Sequence, residues 1–269
     1  EAEQATVLVA LSSVDATEPH PAATTRAPIA SARHAVELLA RDEWGGHASM
    51  PEMLAAFVQP NEPHVEKLLR RAADTLETSG QQPSLNGYGD GPKHAWAIAS
   101  AIWSAICHER IAYALPPASF ERSGQKVRGP ARIGESRLGT CLDLTLLFAA
   151  ALEQAGLNPL LLLERGHAYV GVWLCNESFQ TAVVEDISAL RKRIKLKELI
   201  VFEATLATGR PPSSFGFAIK TARQRLSEER EEAFELCIDV RRARLQRIRP
   251  LASQSALAAI GATGALITV

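Results

Sequence analysis

Residues 139–174 read GTCLDLTLLFAAALEQAGLNPLLLLERGHAYVGVWL, and the order of patterns in this stretch sets the fold. Thr140 is a good helix N-cap, and Asp143, three residues on, completes a shortened capping box, so the spacing predicts a helix that begins at Cys141. A strongly apolar helical run follows Cys141 at once. PLLLLE and HAYVGVW then read as two strands joined by a tight turn at Arg165 and Gly166, with His167 opening the second strand. A thiol on the first helical residue lies beside unpaired backbone N–H groups and the positive end of the helix dipole, which favour thiolate over thiol. Cysteine on a helix tip and histidine at a strand start form a candidate thiolate and imidazole pair.

Outward from this stretch, helical and strand patterns are unevenly distributed. Residues 5–11 read as a strand, and the polar, proline-rich DATEPHPAATTRAP (15–28) as a connector. Three helices are expected next: SARHAVELLARDEW (31–44), SMPEMLAAFV with Ser49 as cap and Pro51 in the first turn, and EPHVEKLLRRAADTLETSG ending at Gly80. After the glycine-rich LNGYGDGP (85–92), residues 93–115 carry apolar side chains at helical spacing and predict a largely buried helix. Beyond His167 come a polar stretch around Glu185 and Asp186, the basic RKRIKLK (191–197), the apolar strand LIVFEAT (199–205), a helix over 218–232, the alternating strand FELCIDV (234–240) and the basic RRARLQRIRP (241–250). Helices first and strands mainly after Cys141 argue for an α+β fold: an N-terminal strand and linker (1–30), a helical region packed on the core (31–118), a core (119–250) and a C-terminal tail or linker (251–269).

Composition narrows the function classes. With 46% hydrophobic and 22% charged residues, the 269-residue chain reads as a soluble globular protein with enough apolar side chains for one large core or two small ones. A formal net charge of -1 supplies no global attraction to nucleic acid or to an anionic membrane. No segment has the length and purity of a membrane span, and the N-terminal residues lack the basic flank of a secretory signal. Cys107, Cys141, Cys175 and Cys237 show neither zinc-ligand nor disulfide-framework spacing, which suits a reducing cytosol; no metal or cofactor is expected. LNGYGDGPKH lacks the spacing of a phosphate-binding loop. The chain starts at Glu1 rather than Met, which suggests a processed chain or a piece of a longer one.

A carboxylate is needed to hold the His167 ring in one tautomer. Glu203 in VFEAT closes an apolar strand that can lie beside the His167 strand and is the preferred orienter, with Asp186 in VVEDIS as the alternative. Asp143 stands two residues from Cys141 on the same helix, points elsewhere, and reads as a cap. Gln125 in SGQKVRGP is a candidate oxyanion donor beside the backbone N–H of Cys141. Tyr169 and Trp173 alternate with Val170 and Val172 on the His167 strand, where one face could line a groove or both could be core.

Together the GTC helix, the GHAYVGVW strand and the EAT strand resemble the papain-related transglutaminase-like superfamily. That resemblance implies a helix bearing the nucleophile Cys141 packed on an antiparallel sheet bearing the base His167 and the acid Glu203. Glutamate stands where that family usually has aspartate, and Ala204 where it has proline. DEWGG (42–46), PEMLAAFVQPNEPHV (51–65), PPASFERSGQKVR (116–128) and the segments around Arg191 and Glu203 further resemble the DUF4011 family, the N-terminal region of large bacterial helicase-related proteins, from about Arg41 to past Pro250. This second resemblance implies a domain of a cytoplasmic, multidomain polypeptide with a nucleic-acid-dependent motor further on. The expected activity is a cysteine peptidase or amidase acting on a protein or peptide. The alternatives are a transamidase with an amine acceptor, and a catalytically silent module that binds protein or nucleic acid through the basic runs near Arg191 and Arg241.

Overall fold

The computed structural model describes residues 3–11, 30–38, 40–46, 50–119 and 124–252. The predicted connector, the Ser49 cap and the tail from residue 253 lie outside these. Strands β1 (Glu3–Leu11) and β2 (Ala30–Leu38) form an antiparallel hairpin in which Thr6 faces Ala35 and Val7 faces His34. The helix expected over 31–44 is therefore mostly a strand. Its alanines and valine fit either period, and nine residues of pairing with β1 decide between them. After the short strand β3 (Glu43–Trp44), a 3-10 helix runs over Pro51–Phe57, with Met50 in the N-cap position.

Helix α1 (Pro63–Thr78) has proline in its first turn and Ser79 as its C-cap, and it closes just before Gly80 at φ 70°, the residue at which the sequence predicts its end. Helix α2 (Gly91–His108) is buried along most of its length but stops seven residues before the predicted end. The chain turns through Arg110 at φ 54° into β4 (Ala112–Tyr113), which pairs in parallel with β6 (Leu138–Gly139). Between them lie β5 (Gln125–Lys126), paired with β3, and α3 (Pro130–Ser136). Helix α4 (Cys141–Gln154) follows at once.

The remaining chain builds a five-stranded antiparallel sheet in the order β10-β8-β7-β11-β9, and the architecture is mixed α and β. Its members are β7 (Pro159–Glu164), β8 (His167–Trp173), β9 (Val183–Val184), β10 (Leu199–Phe202) and β11 (Phe234–Asp239). Helices α5 (Ile187–Lys195), α6 (Phe215–Arg225) and α7 (Val240–Leu245) are interleaved; the basic run 191–197 lies in and just after α5, and the helix expected over 218–232 ends at Arg225.

Both faces of the sheet are covered, which explains the unbroken apolar run PLLLL. Leu161, Leu163, Val170, Val172 and Phe202 face the cluster built with α1, α2 and α4. Leu160, Leu162, Tyr169, Trp173 and Val201 face Ile187 and Leu190 of α5 and Ala222 of α6. Tyr169 and Trp173 are fully buried, so the His167 strand supplies core rather than a groove wall at these positions. Trp103, Phe148, Phe202 and Phe215 pack ring against ring with centroids 5.1 to 5.9 Å apart, joining α2, α4, β10 and α6. Each buried ring contributes about 1.5–3 kcal/mol through burial alone. This cluster fixes the end of β10, and with it Glu203, relative to the Cys141 helix.

Candidate active site

Cys141 occupies the first turn of α4 because the chain before it is held at several points. Thr140 Oγ1 accepts from the Asp143 N–H at 3.0 Å, and Asp143 Oδ2 accepts from the Thr140 N–H at 2.9 Å, closing the predicted capping box. The same carboxylate, fully buried, also accepts from the Arg128 N–H at 2.8 Å and from Arg128 Nη1 at 2.9 Å. Arg128 Nη2 in turn reaches the Leu115 carbonyl at 3.1 Å. Asp143 is thus both cap and clamp, tying the helix tip to the segments before it.

His167 is placed by a hairpin. Glu164 and His167 face each other across a two-residue turn, and Gly166 takes the positive φ of 73° that a side chain would disfavour. The imidazole lies within hydrogen-bonding reach of the Cys141 thiol, and the Ala168 N–H also points at that sulfur. His167 Nε2 donates to Glu203 Oε2 at 2.8 Å, leaving Nδ1 for the thiol. Glu203 follows β10 and is 2% exposed; its Oε1 accepts from the Thr205 N–H at 3.2 Å and the Thr205 hydroxyl at 2.7 Å. Cys141, His167 and Glu203, separated by up to 62 residues, therefore meet in one hydrogen-bonded row.

The row carries its charges at both ends and in the middle. Burial opposes a thiolate at Cys141, but the hydrogen bond from His167, the Ala168 N–H and the imidazolium charge outweigh it and hold the thiol below its ordinary value. Burial likewise opposes the imidazolium, yet its bonds to Cys141 and Glu203 and the Glu203 charge push His167 up to about 9. Glu203 is kept below the usual carboxylate range against burial by His167, Thr205 and Arg225. The other cysteines show the opposite behaviour: burial pushes Cys107 up to about 12 and raises Cys175 and Cys237. Both shifts act in the same sense, favouring a thiolate and imidazolium pair over the neutral thiol and imidazole.

Tyr113 completes the surroundings and was missed in the sequence. The residue is 53% exposed, while its hydroxyl stands close to the thiol and the backbone N–H of Cys141. It arrives there because β4 pairs with β6, two residues before the helix tip. Asp186 does not join the site: exposed, it caps α5 by accepting from the Ser188 N–H at 2.8 Å. Gln125 lies opposite Trp44 in β5, with its amide nitrogen buried and unpartnered among the described residues.

The arginines of the two basic runs are largely engaged within the chain. Arg191 binds the Leu226 and Ser227 carbonyls and Glu231, and Arg193 pairs with Glu198 and lies over the Trp173 ring. Arg242 binds the Phe179 carbonyl, and Arg244 holds Glu153 and the Ala55, Val58 and Ile248 carbonyls. No described helix is long and apolar enough to cross a membrane. No family model matches the chain, and no curated protein or solved structure proved detectably similar to it.

Proposed function

We propose that this chain is a cysteine peptidase or amidase of transglutaminase-like type, working by acyl transfer through Cys141, His167 and Glu203. The observation that carries this reading is the His167 ring held between the Cys141 thiol and the buried Glu203 carboxylate. Cys141 Sγ attacks the carbonyl carbon of a peptide or amide, and charge develops on the carbonyl oxygen near the Cys141 N–H. The Tyr113 hydroxyl stands close to that N–H, so a substrate carbonyl bound there would displace it. As the C–N bond breaks, the His167 imidazolium gives its proton to the leaving amine, and a thioester remains. Water, deprotonated by His167, then attacks the thioester, releasing the acid and restoring the pair. Glu203 keeps the ring in the tautomer that faces the sulfur and stabilises the imidazolium.

Water is the favoured acceptor because it requires no second pocket; an amine acceptor would make the same row a transamidase. On the resemblance to helicase-related proteins, the unit acts in the cytoplasm beside a motor domain of the same polypeptide, which would bring in any nucleic acid. A pool of unfolded proteins incubated with the chain should give new peptide termini by mass spectrometry, at a rate that falls about 10²- to 10⁴-fold in His167→Ala. Fragment patterns that are the same for the two proteins would remove His167 from the chemistry.

A further inference from the structure

Glu203 is not the only buried carboxylate at this end of the sheet. Glu164, 5% exposed, closes β7 directly across the turn from His167. Two buried carboxylates at one turn repel each other unless a cation stands between them. That cation is Arg225, at the end of α6. Its Nε lies 2.7 Å from Glu203 Oε2, the same oxygen that receives His167, and its Nη1 contacts Glu164 Oε1. The Nε–H is not aligned with Oε2, so this contact is an ion pair rather than a directed hydrogen bond. Arg230, more exposed, stands 3.6 Å from Glu164 and supplies weaker support.

We infer that Arg225 is a positioning residue of the site: it neutralises the Glu164 and Glu203 pair, so that Glu203 stays ionised and aimed at His167. The inference rests on the acyl-transfer reading of Cys141 and His167. Charged and titratable groups face the row from several elements. Cys141 of α4 and Tyr113 of β4 address the thiol side of His167. Glu203 and Arg225 address its other side, Glu164 lies beyond Arg225, and the buried Tyr169 of β8 feels both carboxylates and Arg225. Among the described residues, Arg225 is the group that touches both acids. Removing its charge has two consequences of the same sign. Glu203 takes a proton at higher pH, so activity that needs the carboxylate is lost earlier as pH falls. His167 loses a repelling neighbour, so the imidazolium persists to higher pH.

The test is the pH dependence of peptide hydrolysis and of Cys141 alkylation by iodoacetamide in the full chain, for wild type, Arg225→Met, Arg225→Lys and the double variant Glu164→Gln with Arg225→Met. Arg225→Met should lower kcat/KM about ten- to a hundredfold, as when an orienting partner of a functional side chain is lost. Both limbs of its pH profile should move to higher pH. Arg225→Lys should keep the wild-type limbs, and the double variant, with one carboxylate fewer, should recover the acid limb in part. If Arg225→Met does not fold, the lysine variant and Glu164→Gln in the Arg225→Lys background still read the same limbs. A folded Arg225→Met protein with the wild-type profile would overturn the inference. A wild-type protein whose Cys141 shows no pH-dependent activation would instead overturn the acyl-transfer reading beneath it.

Discussion

Cys141→Ala is expected to abolish hydrolysis of peptide and protein substrates, including any self-cleavage, with a loss of about 10⁴-fold or more. The size follows from the role. His167 and Glu203 serve to make and hold a thiolate, and without the sulfur they have no attacking group to activate, so their contributions vanish together with it. The substitution should be nearly silent for stability. Cys141 is partly exposed, and Thr140 and Asp143 retain the helix cap without it. Unchanged thermal unfolding beside complete loss of cleavage is the expected pattern. Cleavage that survives in Cys141→Ala would mean that the nucleophile lies elsewhere.

Asp143→Ala is expected to destabilise the fold by about 3–5 kcal/mol, because it strands Arg128 as an unpaired charge in a buried position. Arg128 is 8% exposed and Asp143 fully buried, so water cannot replace the lost partner without opening the structure. The loss also removes acceptors for the Thr140 and Arg128 N–H groups and half of the capping box. Through Arg128 the same change frees the Leu115 carbonyl and the strand that carries Tyr113. Urea denaturation should therefore show a midpoint well below that of wild type, and the variant that folds should label Cys141 more slowly. A loss below about 1 kcal/mol would show that the pair lies in a wetter place than its burial indicates.

The features legible in the sequence are those written locally. Thr140 and Asp143 declare the helix start within four residues, and Arg165 with Gly166 declares the hairpin, so the positions of Cys141 and His167 follow from short patterns. Glu203 could be chosen over Asp186 because one closes an apolar strand and the other sits in a polar stretch, and the structure places Glu203 alone of the two on His167. Long-range pairing left no such mark. Residues 112–113 looked like the end of a helix, yet they pair with residues 138–139, and that pairing is what brings Tyr113 to the thiol. Arg225 falls inside the helix expected over 218–232, and nothing local shows that α6 ends at Arg225 against two buried acids. Asp143 read as a cap and is one, but its partner Arg128 lies in a loop whose return to the helix tip no periodicity encodes.

The pH dependence of iodoacetamide labelling, resolved for each of the four cysteines by mass spectrometry, tests the central claim most directly. With the Cys141 thiol lowered and His167 raised to about 9, the proposed chemistry requires Cys141 to ionise while His167 still carries its proton. Cys141 should then label fast well below the pH at which a free thiol ionises, and change rate again as His167 loses its proton near pH 9. Cys107, Cys175 and Cys237, all raised by burial, should label slowly throughout. Labelling of Cys141 that rises only with the ordinary thiol titration, and is the same in His167→Ala, would contradict the ion pair on which the proposed chemistry depends.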